Sequence, residues 1–130
     1  MAFDWNEYLR VAKDIHTQSK KSKIKDEALL RTAVGRAYFS VINLAAENAI
    51  EKHDKSFPKN DFHTSVIAYY KYDYKNPNHQ MAGSFLGSLK SSRHKCDYDS
   101  SFDGDLEKML ESSIIQAENI KSELAKKTYS

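Results

Sequence analysis

The chain has 130 residues, 40% of them hydrophobic and 29% charged, which is typical of one globular domain covering residues 1–130. Its 20 basic and 18 acidic residues give a net charge of +2, too even a balance to predict nucleic-acid or membrane binding from total charge. A single cysteine, Cys96, excludes an internal disulfide and a cysteine-rich zinc site, and the lack of a signal peptide or a membrane-spanning apolar run predicts a cytoplasmic protein.

The first predicted helix is amphipathic and is followed by a lysine-rich connector. Asp4 is expected to cap this helix, which ends near Gln18 or Ser19. Its apolar face consists of Trp5, Tyr8, Leu9, Ala12 and Ile15. The connector KKSKIK, residues 20–25, is interpreted as a solvated linker or, alternatively, as a basic rim that attracts phosphate.

The second predicted helix is the longest, from Asp26 to roughly His53, and it is apolar on more than one face. Such a pattern is typical of an element surrounded by others, so we expect it at the centre of the fold. Its apolar residues are Leu29, Leu30, Ala33, Val34, Ala37, Tyr38, Val41, Ile42, Leu44, Ala45 and Ile50. Gly35 costs this helix about 1 kcal/mol relative to alanine, which predicts close packing against a neighbour.

Three shorter helices are predicted in the remainder of the chain. Pro58 interrupts the sequence before a third helix capped by Asp61, and the turn-like NPN at 76–78 precedes a weaker fourth helix. A final amphipathic helix runs from Asp103 or Asp105 to about 126. The apolar residues of the third and fourth helices are Phe62, Val66, Ile67, Tyr70, Met81, Phe85, Leu86 and Leu89. Because no strand alternation or internal repeat occurs, we predict an all-α fold, an antiparallel up-and-down bundle of four to five helices.

The sequence lacks the common motifs of phosphate loops, zinc proteases, paired-cysteine zinc sites and nucleophile-elbow hydrolases. Its five histidines are scattered, and none occurs at Glu-x-x-His spacing. We therefore expect neither a metal nor a cofactor.

Two stretches carry unusual polar residues. In RTAVGRAYFSVINLAAENAI, residues 31–50, Arg36 and Asn43 are seven positions apart, so they share a helix face about 10 Å apart along the axis. An arginine on such a face binds phosphate well through paired hydrogen bonds. In RHKCDYD, residues 93–99, Arg93 is surrounded by acids and equally fits a structural ion pair. From the residues alone, a structural role and a ligand-binding role both stay open.

These stretches resemble conserved segments of the HEPN domain family. RAYFSVINLAAENAI, residues 36–50, is similar to that family's central helix, and FHTSVI, residues 62–67, resembles its His-Ser-x-Val-Ile segment. RHKCDYD resembles the family's Arg-x-x-Ala-Asp-Tyr, and WNEYLRVAKDI at 5–15 resembles its first helix. The resemblance extends over about residues 4–126 and implies an HEPN-like bundle that forms a homodimer.

Many HEPN proteins are metal-independent endoribonucleases of toxin–antitoxin or antiviral defence systems, in which the arginine and histidine of an Arg-x4–6-His motif act at a dimer cleft. Arg36 matches that arginine, but Asn43 stands in the position of the histidine. Asparagine exchanges no proton near neutral pH, so it cannot act as a general acid or base.

The resemblance therefore leaves three hypotheses open, and with them the question whether the protein is an enzyme. The first is an accessory protein that binds RNA, a nucleotide or a partner protein through Arg36, Asn43 and Arg93, with Lys95 as a further RNA-binding residue. The second is an active ribonuclease that combines Arg36 and Asn43 with an imidazole from elsewhere, His94 or His63. The third is a structural subunit that pairs with a nucleotidyltransferase-type partner. An antitoxin is a further expected partner under the family resemblance.

Overall fold

A computed structural model describes residues 3–23, 25–102 and 104–126. This part of the chain forms five helices: α1 (Asn6–Lys21), α2 (Glu27–His53), α3 (Phe62–Lys71), α4 (Pro77–Tyr98) and α5 (Leu106–Ala125). It contains no strand, so the predicted all-α class is confirmed for the described residues. No helix in these ranges is both long and apolar enough to cross a membrane.

Of the two N-terminal caps that the sequence predicts, Asp4 lies one residue before the N-cap position of α1; Trp5 occupies that position without a side-chain hydrogen bond, although Asp4 Oδ1 accepts from Asn6 N at 3.0 Å. Other short polar side chains bind the free backbone N–H groups at the starts of α2 and α5. The Asp26 carboxylate accepts a hydrogen bond from Leu29 N at 3.1 Å, and that of Asp105 accepts one from Lys108 N at 3.1 Å. Asp61 precedes α3 with a positive φ of 57° and makes no capping hydrogen bond, so its predicted side-chain role is wrong. The other predicted start of the last helix, Asp103, lies outside the described residues.

The helices pack around α2, which contacts all four others, as the prediction of a central helix requires. α1 and α5 also contact each other, as do α3 and α4, and α4 packs on α5. The large, fully or almost fully buried side chains of this core are Leu9, Leu30, Val34, Tyr38, Val41, Ile42, Val66, Tyr70, Leu86, Leu89, Leu110 and Ile120. Deep in the core, the hydroxyl of Tyr70 donates to the carbonyl of Ala45, which satisfies both buried groups.

Three residues that the sequence assigned to apolar faces are instead exposed. Leu29 and Ile50, near the two ends of α2, are 48% and 49% exposed, and Met81 on α4 is 49% exposed. Around Met81 in the first turns of α4, the buried positions are taken by smaller or polar residues, Ala82, Gly83 and the almost fully buried His79. When a helix has apolar residues on all sides, its sequence does not show which side remains exposed to solvent.

The fourth helix is longer than predicted at both ends. Pro77 occupies its first turn, and the side chain of Asn76 accepts hydrogen bonds from Asn78 N and His79 N at 3.1 and 3.2 Å. The NPN segment is therefore a helix start, because proline fits the first helical position, where no N–H is needed. At the other end α4 includes RHKCDY, so these charged residues lie on a helix and not in a loop.

The connector between α1 and α2 is bound to the rest of the fold and is not a free linker. Lys25 Nζ donates to the carbonyl of Ser19 at the end of α1 and lies 3.4 Å from a carboxylate oxygen of Glu107 on α5. Ile24, within the same segment, lies outside the described residues.

Candidate anion-binding site on α2 and α4

The two arginines of α2 differ in how many of their donors are already bound. The Arg31 guanidinium donates to the carbonyls of Cys96 and Asp99 at 2.9 and 2.6 Å and to Glu27 Oε1 at 3.3 Å. It thereby joins the start of α2 to the end of α4. Because both of its Nη groups are bound within the protein, Arg31 is a structural cation.

Arg36, by contrast, forms no hydrogen bond and no ion pair with any residue that the structure describes. Its guanidinium carbon lies 4.5 Å from the centre of the Tyr8 ring on α1, within cation–π range. Tyr8 in turn packs edge-on against Phe3 and Trp5, with ring centres 5.3 and 5.4 Å away. Arg36 is half-buried and held in place by aromatic contacts, which leaves its N–H donors free for a ligand.

Asn43, the predicted companion of Arg36, is partly used by its own helix. Its Nδ2 donates to the carbonyl of Phe39, one turn earlier, at 2.7 Å. No hydrogen bond within the described chain engages its Oδ1, and none joins Asn43 to Arg36. The predicted pair therefore shares a face of α2 without forming a preassembled site.

Arg93 on α4 is the best-positioned cation of the predicted set. Its guanidinium carbon lies 4.9 Å from the centre of the Phe39 ring and 5.8 Å from that of Tyr38. Its Nε donates to Asp97 Oδ2 at 2.9 Å, while its side chain is only 22% exposed. The Nη groups have no hydrogen-bond partner in the described chain, so the outer edge of an oriented guanidinium is available to an anion.

A second polar group lies beside Arg93 against the same two rings. The His63 ring on α3 is centred 5.4 Å from Tyr38 and 5.8 Å from Phe39, and its Nδ1 lies 2.8 Å from the Tyr38 hydroxyl. Burial lowers the pKa of His63, and the positive charges of Arg93 and Lys90 lower it further. His63 is therefore neutral at pH 7.

The hydrogen bond to Tyr38 also fixes where the His63 proton is located. Tyr38 is fully buried, and within the described chain its hydroxyl has no hydrogen-bond partner other than His63 Nδ1. We assign the hydroxyl as the donor, because a buried hydroxyl proton without an acceptor is unfavourable. The neutral ring then carries its proton on Nε2, which binds no described residue. His63 presents a hydrogen-bond donor next to Arg93.

The remaining predicted residues lie farther out on α4. His94 is exposed and packs on Tyr98, with ring centres 4.7 Å apart, and no contact joins it to Arg36. His94 and Lys95 line a shallow depression of about 520 Å³ together with Lys90 and Ser91. Lys90 Nζ also donates to Thr64 Oγ1 at 3.1 Å, which places this cation between α3 and α4.

The sequence interpretation missed two neighbouring histidines at the opposite end of α4, the buried His79 and the half-buried His53. His79 Nδ1 lies 2.9 Å from Asp73 Oδ2, and its ring is 4.8 Å from that of His53. Burial lowers the pKa of His79, although the hydrogen bond to Asp73 opposes this shift. The spacing of Asp73 and His79 in the sequence does not indicate that they interact, because a loop and a helix cap separate them. Within the described ranges, no three metal-ligating side chains come together.

Comparison of the chain with protein-family models, with curated proteins and with solved structures gave no match.

Proposed function

We propose that this protein is an RNA- or nucleotide-binding accessory protein, an HEPN-like homodimer with an antiparallel up-and-down bundle, that serves a toxin–antitoxin or defence system. The HEPN assignment and this biological setting come from the sequence resemblance. The observation that carries the binding role is the state of Arg93, a guanidinium packed on Phe39 and oriented by Asp97, with both Nη groups unbound in the described chain.

The surroundings of Arg93 favour a phosphate as its ligand. Arginine binds phosphate through two parallel N–H donors, and Nε2–H of His63 and the ammonium of Lys90 are additional donors close by. The half-buried ring of Phe39 and the exposed ring of Tyr98 are apolar surfaces on which a nucleic-acid base stacks favourably. Lys95, which lines the same depression as Lys90, and Arg36, which packs on Tyr8 of α1, are the further RNA-binding residues of this proposal.

The ribonuclease alternative is less well supported by this geometry. His63 is closer to the candidate cations than His94, yet its Nε2 carries a proton and its lowered pKa opposes a second one. A ring in that state neither accepts the proton of a 2′-hydroxyl nor donates one to a leaving group at neutral pH. We therefore rank binding above cleavage. The hypothesis of a structural subunit for a nucleotidyltransferase-type partner gains no support from any described contact.

The test is titration of a labelled single-stranded RNA with the full chain in EDTA, followed by fluorescence anisotropy. Arg93→Gln should weaken binding about tenfold or more, because a charge-assisted hydrogen bond contributes about 1.5–3 kcal/mol. The matched control is Arg10→Gln, which removes the same charge from a side chain on α1 that is 60% exposed and paired with Glu7 and Asp14. Equal affinity of both variants and the wild type would contradict the proposal.

The same samples test for cleavage when they are resolved on a gel. We expect no metal-independent cleavage by the wild type and none by Arg36→Ala. Asn43→His places a titratable group at the position of the histidine in the Arg-x4–6-His motif. If one of these proteins shows weak cleavage, we expect it to be this variant. Robust wild-type cleavage that Arg36→Ala abolishes would establish the ribonuclease instead.

A further inference from the structure

The connection between α3 and α4 carries two exposed tyrosines. We call residues 71–75 the tyrosine–lysine loop; it consists of Lys71, Tyr72, Asp73, Tyr74 and Lys75. Tyr72 and Tyr74 are 57% and 76% exposed, and their ring centres lie 6.2 Å apart. Neighbouring aromatic rings that stay in solvent form an apolar surface patch, and such patches commonly mark binding sites.

The tyrosine–lysine loop is held in a defined conformation by hydrogen bonds. Asp73 Oδ2 lies 2.9 Å from Nδ1 of the buried His79, which turns the only acid of the loop toward the fold. The backbone N–H of Tyr74 donates to the carbonyl of Tyr72 at 3.0 Å, and that of Asn76 donates to the carbonyl of Asp73 at 3.1 Å. Because the loop is already ordered, its two rings lose less conformational entropy when they bind a ligand.

The charges of the loop favour a nucleic acid as that ligand. Neither Lys71 nor Lys75 forms an ion pair with a residue that the structure describes, and Lys71 Nζ lies 5.7 Å from the centre of the Tyr72 ring. Ring and ammonium group thus lie side by side, as base and phosphate do along a nucleic-acid strand. Proteins that bind single strands combine these two features, a basic surface for the backbone and aromatic rings for the bases.

A row of cations connects the loop to Arg93. Lys90 is three positions from Arg93 on α4, so both lie on one face, and Lys90 Nζ donates to Thr64 Oγ1 on α3 at 3.1 Å. Lys71 is seven positions after Thr64, which places it on the same face of α3 about 10 Å along the axis. Arg93, Lys90 and Lys71 therefore follow one another along the α3–α4 surface.

The length of this row decides which nucleic acid fits it. From His63, beside Arg93, to Tyr72 is nine positions, about 14 Å along α3. A single nucleotide is too short for this distance, whereas about four stacked nucleotides at about 3.4 Å each cover it. A duplex buries the faces of its bases in its own stack, so only a single strand can place them on the tyrosine rings.

We infer that the tyrosine–lysine loop is a base-stacking surface for single-stranded RNA whose backbone follows Arg93, Lys90 and Lys71 along α3. The inference rests on the proposed function, because the strand begins at the phosphate site of Arg93. It selects a strand of several nucleotides over a single nucleotide as the ligand, and it assigns a role to Tyr72 and Tyr74.

The experiment is fluorescence anisotropy of labelled single-stranded RNA with the full chain and two double variants. Tyr72→Leu with Tyr74→Leu removes both rings and should weaken the binding of RNA of about ten nucleotides at least about tenfold. Tyr72→Phe with Tyr74→Phe retains both rings and should bind like the wild type. RNA of about two nucleotides does not extend from Arg93 to the loop, so all three proteins should bind it equally.

A strand that carries 2-aminopurine reports the stacking itself, because the fluorescence of this base decreases when it stacks on a ring. The wild type and the phenylalanine variant should quench it more than the leucine variant does.

The row of cations is tested by the salt dependence of binding. Lys71→Gln should reduce the slope of log affinity against log salt by about 1 in magnitude. The matched control is Lys108→Gln, an exposed lysine on α5, a helix that does not contact α3. Circular dichroism confirms that each variant is folded.

The outcomes separate this inference from the proposed function. If Arg93→Gln weakens binding of the long RNA and the leucine variant does not, the inference is overturned and the proposed function stands. If the leucine variant weakens binding and Arg93→Gln does not, the loop is an RNA site and the proposed function fails. If the wild type does not bind the long RNA, both are overturned.

Discussion

At the level of single residues, arginines with the same charge differ in how their hydrogen bonds are used. Both Nη groups of Arg31 donate to backbone carbonyls or to Glu27, Arg93 binds Asp97 through one nitrogen only, and Arg36 has no polar partner among the described residues. The sequence identified Arg36 and Arg93 as candidates and allowed for the Asp97 pair. It could not show which donors remain free, because that depends on contacts between α2 and α4.

One glycine in α2 and one in α4 show that the sequence also could not predict where the helices pack closely. The sequence predicted close packing at Gly35, but a Cβ there would meet only Arg93 Cγ at 4.0 Å, an ordinary contact. At Gly83 a Cβ would lie 2.4 Å from the backbone nitrogen of Lys71, so α3 and α4 approach closely at that point. No pattern in the sequence distinguishes these two positions.

We therefore expect opposite effects of alanine at the two glycines. Gly35→Ala should raise the free energy of unfolding by about 0.5–1 kcal/mol, because alanine favours helix and fits the space. Gly83→Ala should lower it by about 1–3 kcal/mol, because the α3 backbone has to move. Urea denaturation of both variants measures this, and equal stability of Gly83→Ala and the wild type would show that the approach of α3 is not tight.

At the level of elements, the sequence predicted helices well where a cap and an apolar stripe coincide. α2 begins and ends within a residue of the predicted bounds, and α5 begins directly after Asp105, one of its two predicted starts. α4 was predicted too short, because the buried residues of its first turns, His79, Ala82 and Gly83, are small or polar and its charged end contains no apolar repeat. The starts of α2 and α5 could be predicted from the residues next to them, whereas the length of α4 depends on its contacts with α3 and α5.

The cap of α2 can be tested at one position. Asp26→Ala removes the acceptor for Leu29 N and should lower the free energy of unfolding by about 1 kcal/mol. Asp26→Asn retains a side-chain oxygen and should differ from the wild type by much less. Chemical denaturation of both variants makes the comparison, and equal losses would indicate that the charge of Asp26, and not its hydrogen bond, stabilises the helix.

At the level of the whole molecule, the helical class and the central position of α2 could be predicted, because both follow from periodicity and apolar content. The pairing of His63 with Tyr38 and of His79 with Asp73 could not, because each joins side chains that only packing of the helices, or the loop before α4, brings together. The candidate site was thus predicted in its arginines and in His63 as one of two possible imidazoles, but not in the contact with Tyr38 that orients His63.

These two half-buried or buried histidines should make stability depend on pH. Burial lowers the pKa of both in the folded protein below the ordinary value of 6.5, so the unfolded chain binds more protons at mildly acidic pH. The free energy of unfolding should therefore be fully retained above about pH 6.5 and decrease as the pH falls toward the folded pKa values. Urea denaturation at pH about 7.5 and about 5.5 measures the change. His63→Gln should reduce the dependence of the free energy of unfolding on pH. A free energy of unfolding that rises on acidification would contradict the neutral state assigned to the histidines.

The free guanidinium edge of Arg93 is the central claim, and the salt dependence of RNA binding tests it most directly. Affinity is measured by anisotropy between about 50 and 200 mM KCl for the wild type, Arg93→Gln and the Arg10→Gln control. If Arg93 holds a phosphate, its variant should bind more weakly and the slope of log affinity against log salt should be smaller in magnitude by about 1, with the control unchanged. An Arg93→Gln variant with the affinity and slope of the wild type would contradict the account.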